Sequence, residues 1–135
     1  MTISKRPLCL SFILVCALAA LIGCRKAVPV ESTSSSMPIT ATAANKAKIG
    51  DAIIRAGAAT NWKITPAGDG KMTGTLNARA HTAVVSITYD DASYRIDYKD
   101  SVNLNYKDGN IHPNYNKWVH TLDKNIRAEI AQLNK

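Results

Sequence analysis

Three histidines, His81, His112 and His120, are the first candidates for chemistry in this chain of 135 residues. His112 and His120 are eight residues apart, so they would share a helix face only if a helix extended back through Pro113. A zinc site usually takes three or four ligands that include closely spaced pairs, and no such pair is present. The spacing therefore predicts no metal site, and no motif indicates a cofactor.

A hydrolytic triad is the second candidate. Ser101, His112 and Asp100 could serve as nucleophile, base and orienting group. Nothing around Ser101 resembles a nucleophile elbow, and any chain of this length offers such a trio. We therefore predict that the protein is not an enzyme, and a small hydrolase is the alternative.

Basic and amide side chains form the third candidate. From Tyr94 to Tyr106 the apolar residues occupy even positions, which places Arg95 and Lys99 on the solvent face of a predicted strand. Such a face could receive a polar polymer or a partner loop, and an ordinary solvated face is the alternative. The predicted binding face comprises Arg79, Arg95, Lys99, Asn103 and Asn105.

The N-terminus has the features of an export signal. Lys5 and Arg6 precede an apolar run of about 15 residues from Leu8 to Ile22, interrupted by Ser11. This run is short for a bilayer span, so a cleaved signal is favoured over an uncleaved anchor.

The sequence Leu21-Ile22-Gly23-Cys24 closes the apolar run and resembles the lipobox of bacterial lipoproteins. The resemblance implies cleavage between Gly23 and Cys24 and attachment of lipid to the Cys24 thiol. More than one acyl chain is needed for a stable hold on a membrane. Arg25, where an aspartate would favour retention in the inner membrane, implies passage to the outer membrane.

Composition divides the chain into three parts. Residues 1–23 are the predicted signal peptide, residues 24–43 a lipidated cysteine and flexible tether, and residues 44–135 a single domain. The tether is predicted because Ser, Thr, Pro and Ala dominate it without apolar periodicity. Cys24 is the only cysteine after the signal, so no disulfide is predicted within the domain.

The domain pattern predicts an α+β fold. A helix over residues 44–59 ends near Gly57, and a C-terminal helix begins at Pro113 or Asn114. Between them we expect an antiparallel meander of three or four strands, with both helices packed on one face as a two-layer sandwich. Pro66 is predicted to end the first strand, and a bulge, bend or short interruption is expected at Asp100-Ser101. The predicted core comprises Trp62, Ile87, Tyr94, Ile96, Tyr98, Leu104, Trp118, Leu122 and Ile126.

One ambiguity lies in residues 71–89, because the apolar positions change from even to odd after His81. The change indicates either a turn at residues 79–82 or one long bulged strand, and the usual strand length favours the turn.

Charge and a second resemblance bear on partners. Without Lys5 and Arg6, 15 of the 17 basic residues remain against 10 acidic ones. These charges are dispersed and no nucleic-acid motif is present, so nucleic acid is not an expected partner.

The segment from Thr82 to Trp118 resembles small proteobacterial lipoproteins of unassigned function. We therefore expect an envelope module held on the membrane through Cys24, which binds an envelope protein or peptidoglycan. A surface-exposed structural or antigenic lipoprotein is a further alternative.

Overall fold

A computed structural model describes residues 26–36 and 46–135. The predicted signal peptide, Cys24 and residues 37–45 of the predicted tether lie outside the described residues. No helix within the described residues is long and apolar enough to span a membrane.

The described residues form an α+β fold, as predicted. The two helices are α1 (Lys46–Ala59) and α2 (Asn114–Gln132). The strands are β1 (Val28–Pro29), β2 (Thr33–Ser36), β3 (Trp62–Gly68), β4 (Lys71–Ala78), β5 (His81–Tyr89), β6 (Ser93–Val102) and β7 (Asn110–Ile111). Five of them make an antiparallel sheet in the order β2-β6-β5-β4-β3, and β1 pairs with β7.

Residues 28–36 differ from the flexible tether that composition predicted. Here β1 pairs with β7, and β2 completes the sheet beside β6, with Thr33 opposite Ile96 and Ser36 opposite Ser93. The Ser- and Thr-rich β2 buries little apolar surface, but its backbone groups pair with the otherwise open edge of β6. Amino-acid composition indicates how much apolar surface a segment can bury but not whether its backbone pairs with a distant strand. Composition therefore did not predict this segment.

The meander from β3 to β6 contains the predicted turn after β4. This strand ends at Ala78 and β5 begins at His81, so Arg79-Ala80 is a two-residue hairpin turn, in which Arg79 has φ +56°. Residues 71–89 are therefore two strands. The prediction that Pro66 ends β3 was wrong, because β3 is an edge strand and can accommodate a residue without an N–H.

A bulge in β6 explains where the even-position pattern stops. Val84 pairs with Asp100 but Val85 pairs with Tyr98, which leaves Lys99 as the extra residue, one position before the predicted bulge. One extra residue reverses the alternation of side chains between the two faces. Val102 is consequently on the solvent face and 52% exposed.

Most of the predicted core is buried. Trp62, Ile87, Tyr94, Ile96, Leu104, Leu122 and Ile126 belong to one cluster, whereas Tyr98 and Trp118 are partly buried against it. Helix α1 ends at Ala59, as predicted, two residues after Gly57. A Cβ at Gly57 would lie 2.2 Å from Cγ1 of Ile64, so this glycine allows α1 to approach β3 closely.

Candidate functional site

The structure divides the predicted binding face into separate groups. At one end of the sheet, Asn103 Nδ2 donates to the carbonyl oxygen of Ala80 at 2.6 Å, and the Asn103 carbonyl lies 2.8 Å from His81 Nδ1. Asn103 thus fastens the loop after β6 to the turn that carries Arg79. Asn103 and Asn105 have φ values of +58° and +52°, a conformation that asparagine tolerates better than most residues. Their presence is explained by backbone conformation.

Arg95 and Lys99 lie on the solvent face of β6, away from that turn. Arg95 Nε is 2.8 Å from both carboxylate oxygens of Asp97, and this hydrogen bond raises the pKa of Arg95. Lys99 extends over β5 and donates to Thr73 Oγ1 at 3.1 Å. The five predicted residues therefore lie in separate groups along the sheet.

Arg95 instead lines a groove at the other end of the sheet, with a cavity of about 200 Å³. The start of α1, the β3–β4 turn, the end of β5 and the start of β6 line this open groove. Its lining residues are Lys46, Asp69, Gly70, Lys71, Thr88, Tyr89, Asp90, Ser93, Tyr94 and Arg95. We call this the cationic groove, because three of these side chains are basic and two are acidic.

The sheet register places two of the cations near each other. Lys71 is opposite Thr88, and Thr88 is opposite Arg95, so the two basic residues are on the same face, two strands apart. Strand spacing puts their backbones about 10 Å apart. That separation suits two long side chains that approach one small anionic group from either side.

Both acidic residues of the groove already have partners. Asp69 accepts from Lys46 Nζ at 2.5 Å, and this contact raises the pKa of Lys46. Asp90 accepts from the backbone N–H groups of Ala92 and Ser93 at 2.8 and 2.7 Å, which lowers the pKa of its carboxyl group. Lys71, by contrast, forms no ion pair with a described residue, so positive charge remains available in the groove.

Three residues that line the groove, Gly70, Tyr89 and Tyr94, are held in place by hydrogen bonds. The N–H of Tyr89 donates to the carbonyl oxygen of Gly70 at 2.9 Å, and a Cβ at Gly70 would be 2.6 Å from Tyr89 O. Tyr94, 2% exposed, donates to Asp123 Oδ1 at 2.6 Å, and Arg127 donates to Asp123 Oδ2 at 2.9 Å. Burial and then this hydrogen bond raise the pKa of Tyr94. Tyr94 is therefore a neutral, fixed side chain.

The triad candidates have other contacts. Ser101 Oγ is 3.1 Å from Tyr98 Oη, and Asp100 Oδ1 accepts from the Ser101 N–H at 2.7 Å. The N–H of Asn114 donates to His112 Nδ1 at 3.2 Å. The neighbour of the Ser101 hydroxyl is thus a tyrosine hydroxyl, and these contacts do not resemble an activated nucleophile.

The histidines lie in different surroundings. His81 and His112 stack with their ring centroids 6.1 Å apart, whereas His120 Nε2 is 2.6 Å from Glu31 Oε2. Within residues 26–36 and 46–135, no three His, Cys, Asp or Glu side chains are grouped so that they could hold a metal ion.

Sequence reasoning found Arg95 but missed Lys46 and Lys71. Lys71 follows Gly68-Asp69-Gly70, a strong turn signal in the sequence, so its position at the start of a strand was predictable. The proximity of Lys71 to Arg95 was not predictable, since it depends on the order of strands in the sheet.

The chain matches no protein-family model, no curated protein and no solved structure.

Proposed function

We propose that the protein is a lipid-anchored, non-enzymatic module of the bacterial cell envelope that binds an anionic group in the cationic groove. The anchor rests on the lipobox-like sequence that ends at Cys24. The binding function rests on one observation: Lys71 and Arg95 both lie opposite Thr88, on the same face of the sheet, and line a cavity whose two carboxylates already have partners. The outer membrane is its proposed location.

The chemistry of the groove favours a carboxylate or phosphate as the bound group. Arg95 uses Nε for Asp97, and a guanidinium carries four further N–H donors. Lys71 adds an ammonium group whose charge no described carboxylate neutralises. The volume admits a side chain or one end group of a polymer but not a long segment of chain. Acidic side chains of an envelope protein and the carboxylates of peptidoglycan peptides both have this chemistry.

The contacts of Ser101 support binding over hydrolysis. Among the described residues, the Ser101 hydroxyl lies against the Tyr98 hydroxyl and not against an imidazole that could activate it as a nucleophile.

We also propose that α1 and α2 cover one face of the five-stranded sheet as a two-layer sandwich. Buried residues of β4, β5 and β6 alternate with more exposed ones, and a single apolar cluster contains the buried side chains of both helices and of these strands. The opposite face carries mainly Thr, Ser, Lys and Arg, which is typical of a solvated face.

Binding to purified peptidoglycan sacculi and to solubilised envelope proteins, in parallel, tests the proposed ligand. The double variant Lys71→Ala/Arg95→Ala should lose binding, and Lys63→Ala should keep it, because Lys63 is an exposed cation of β3 outside the groove. Wild-type binding should weaken as salt rises, since the attraction between exposed charges is screened. Equal binding by the wild type and the double variant would contradict a role for the groove.

A further inference from the structure

We propose that the lipid on Cys24 holds one end of the domain directly against the membrane surface, and that the cationic groove consequently lies at the end of the domain far from the membrane. We call the membrane-facing end the basal end; it comprises β1, β7, the turn at residues 79–80 and the loop over residues 103–110. This inference rests on the proposed lipid anchor.

The length of chain between the anchor and the fold is the first argument. The first strand begins at Val28, four residues after Cys24, and four residues span at most about 14 Å. A flexible tether over residues 25–43 would place the folded domain typically about 25 Å from the anchor, with a much longer maximum distance. Because β1 belongs to the fold, only the short link remains, and the surface around β1 must lie near the lipid headgroups.

Contacts on both sides of the chain keep β1 in place. Asn116 of α2 donates from Nδ2 to the carbonyl oxygen of Pro29 at 2.8 Å, and its Oδ1 accepts from the N–H of Glu31 at 3.3 Å. The N–H of Val30 donates to the carbonyl oxygen of Gly109 at 2.9 Å. The link can lengthen only if these bonds break together with the β1–β7 pairing.

The basal end has the residue types that suit an anionic lipid surface. Lys26, Arg79 and Lys107 are exposed there, with Asp108 as a nearby acidic residue. Tyr106 is 47% exposed, and it stacks on Tyr98 with a centroid distance of 4.2 Å. Lysine and arginine near an anionic leaflet each contribute about 1 kcal/mol, and tyrosine is favoured at the level of the headgroups.

The strands fix the distance from the basal end to the cationic groove. The turn at residues 79–80 precedes β5, and His81 stacks on His112 beside β7. The other end of β5 is Tyr89, which lines the groove. This strand has nine residues and is therefore roughly 30 Å long. A ligand bound in the groove would therefore lie well beyond the lipid headgroups.

Fluorescence quenching in vesicles tests this orientation. The lipidated protein, purified from bacterial membranes, is reconstituted in phosphatidylcholine/phosphatidylglycerol vesicles that contain a lipid with a nitroxide on its headgroup. Cys9 and Cys16 precede the cleavage site and Cys24 carries the lipid. Each of four cysteine variants therefore has one free thiol, to which a fluorescent label is attached. Ala80→Cys and Lys107→Cys report on the basal end; Ala67→Cys and Asp91→Cys, at exposed positions near the groove, are the matched controls.

We expect quenching at residues 80 and 107 to exceed that at 67 and 91 several-fold. Two labels at each end keep the comparison valid if one variant fails to fold. Equal quenching at both ends, or stronger quenching near the groove, in protein that floats with the vesicles would overturn the orientation and leave the anchor intact. Failure of the wild type to float would overturn the lipid anchor and the orientation together.

Discussion

Replacing Asn116 by alanine tests whether residues 28–36 are part of the fold. Asn116 is 7% exposed and makes two hydrogen bonds to the backbone of the N-terminal segment, at Pro29 and Glu31. Each such bond contributes about 0.5–1.5 kcal/mol net, so their loss should weaken the attachment of this segment by about 2 kcal/mol. That change corresponds to a roughly thirtyfold increase in the opening equilibrium.

Amide hydrogen exchange measured by NMR separates this local effect from global unfolding. In the wild type the amide of Val30, which donates to Gly109, should be protected; in Asn116→Ala it should exchange roughly thirtyfold faster. The control is Asn125→Ala on the same helix, whose side chain donates to the carbonyl oxygen of Thr121. An unprotected Val30 amide in the wild type, or equal exchange in both variants, would refute the attachment.

Three further predictions concern stability. Tyr94→Phe should destabilise the fold by about 1.5–3 kcal/mol in urea unfolding, because the Asp123 carboxylate loses a buried donor. The matched substitution Tyr115→Phe should leave stability unchanged or raise it by about 1 kcal/mol, because the Tyr115 hydroxyl is buried without a partner among the described residues; a loss as large as that of Tyr94→Phe would refute the contrast. Asp90 has a lowered pKa, so its stabilising effect should be complete above the ordinary carboxyl pKa of about 4 and be lost as the pH falls through the lower folded value. Asp90→Ala should therefore flatten the acid side of the plot of stability against pH, and an unchanged acid limb would contradict this.

Local patterns in the sequence predicted most of the fold. The alternation around Tyr94 and Ile96, the helical spacing in α2 and the turn at Arg79-Ala80 are properties of neighbouring residues, and each corresponds to an element of the structure. The bulge was placed one residue too late because Asp100 interrupts the apolar pattern, whereas the extra residue is Lys99.

What the sequence did not predict depends on distant pairing. Both β1 and β2 lack apolar periodicity, and their pairing partners are residues 110–111 and 93–96. The cationic groove likewise combines α1, a turn and two strands. Only the strand order shows that Lys46, Lys71 and Arg95 line the same groove. Alternation assigns residues to a face but not to positions along it, so the sequence did not predict that Arg95 lies at the groove end of β6 and Asn103 beside the turn at the other end.

The intact mass of the mature protein, extracted with detergent from membranes of cells that express the full chain, tests the lipid anchor most directly. We expect a polypeptide that begins at Cys24 and carries a diacylglyceryl group, and we expect Cys24→Ser to accumulate as an uncleaved, unlipidated precursor. An unmodified mass, an N-terminus at another residue, or normal processing of Cys24→Ser would contradict the anchor and with it the membrane-facing role of the basal end.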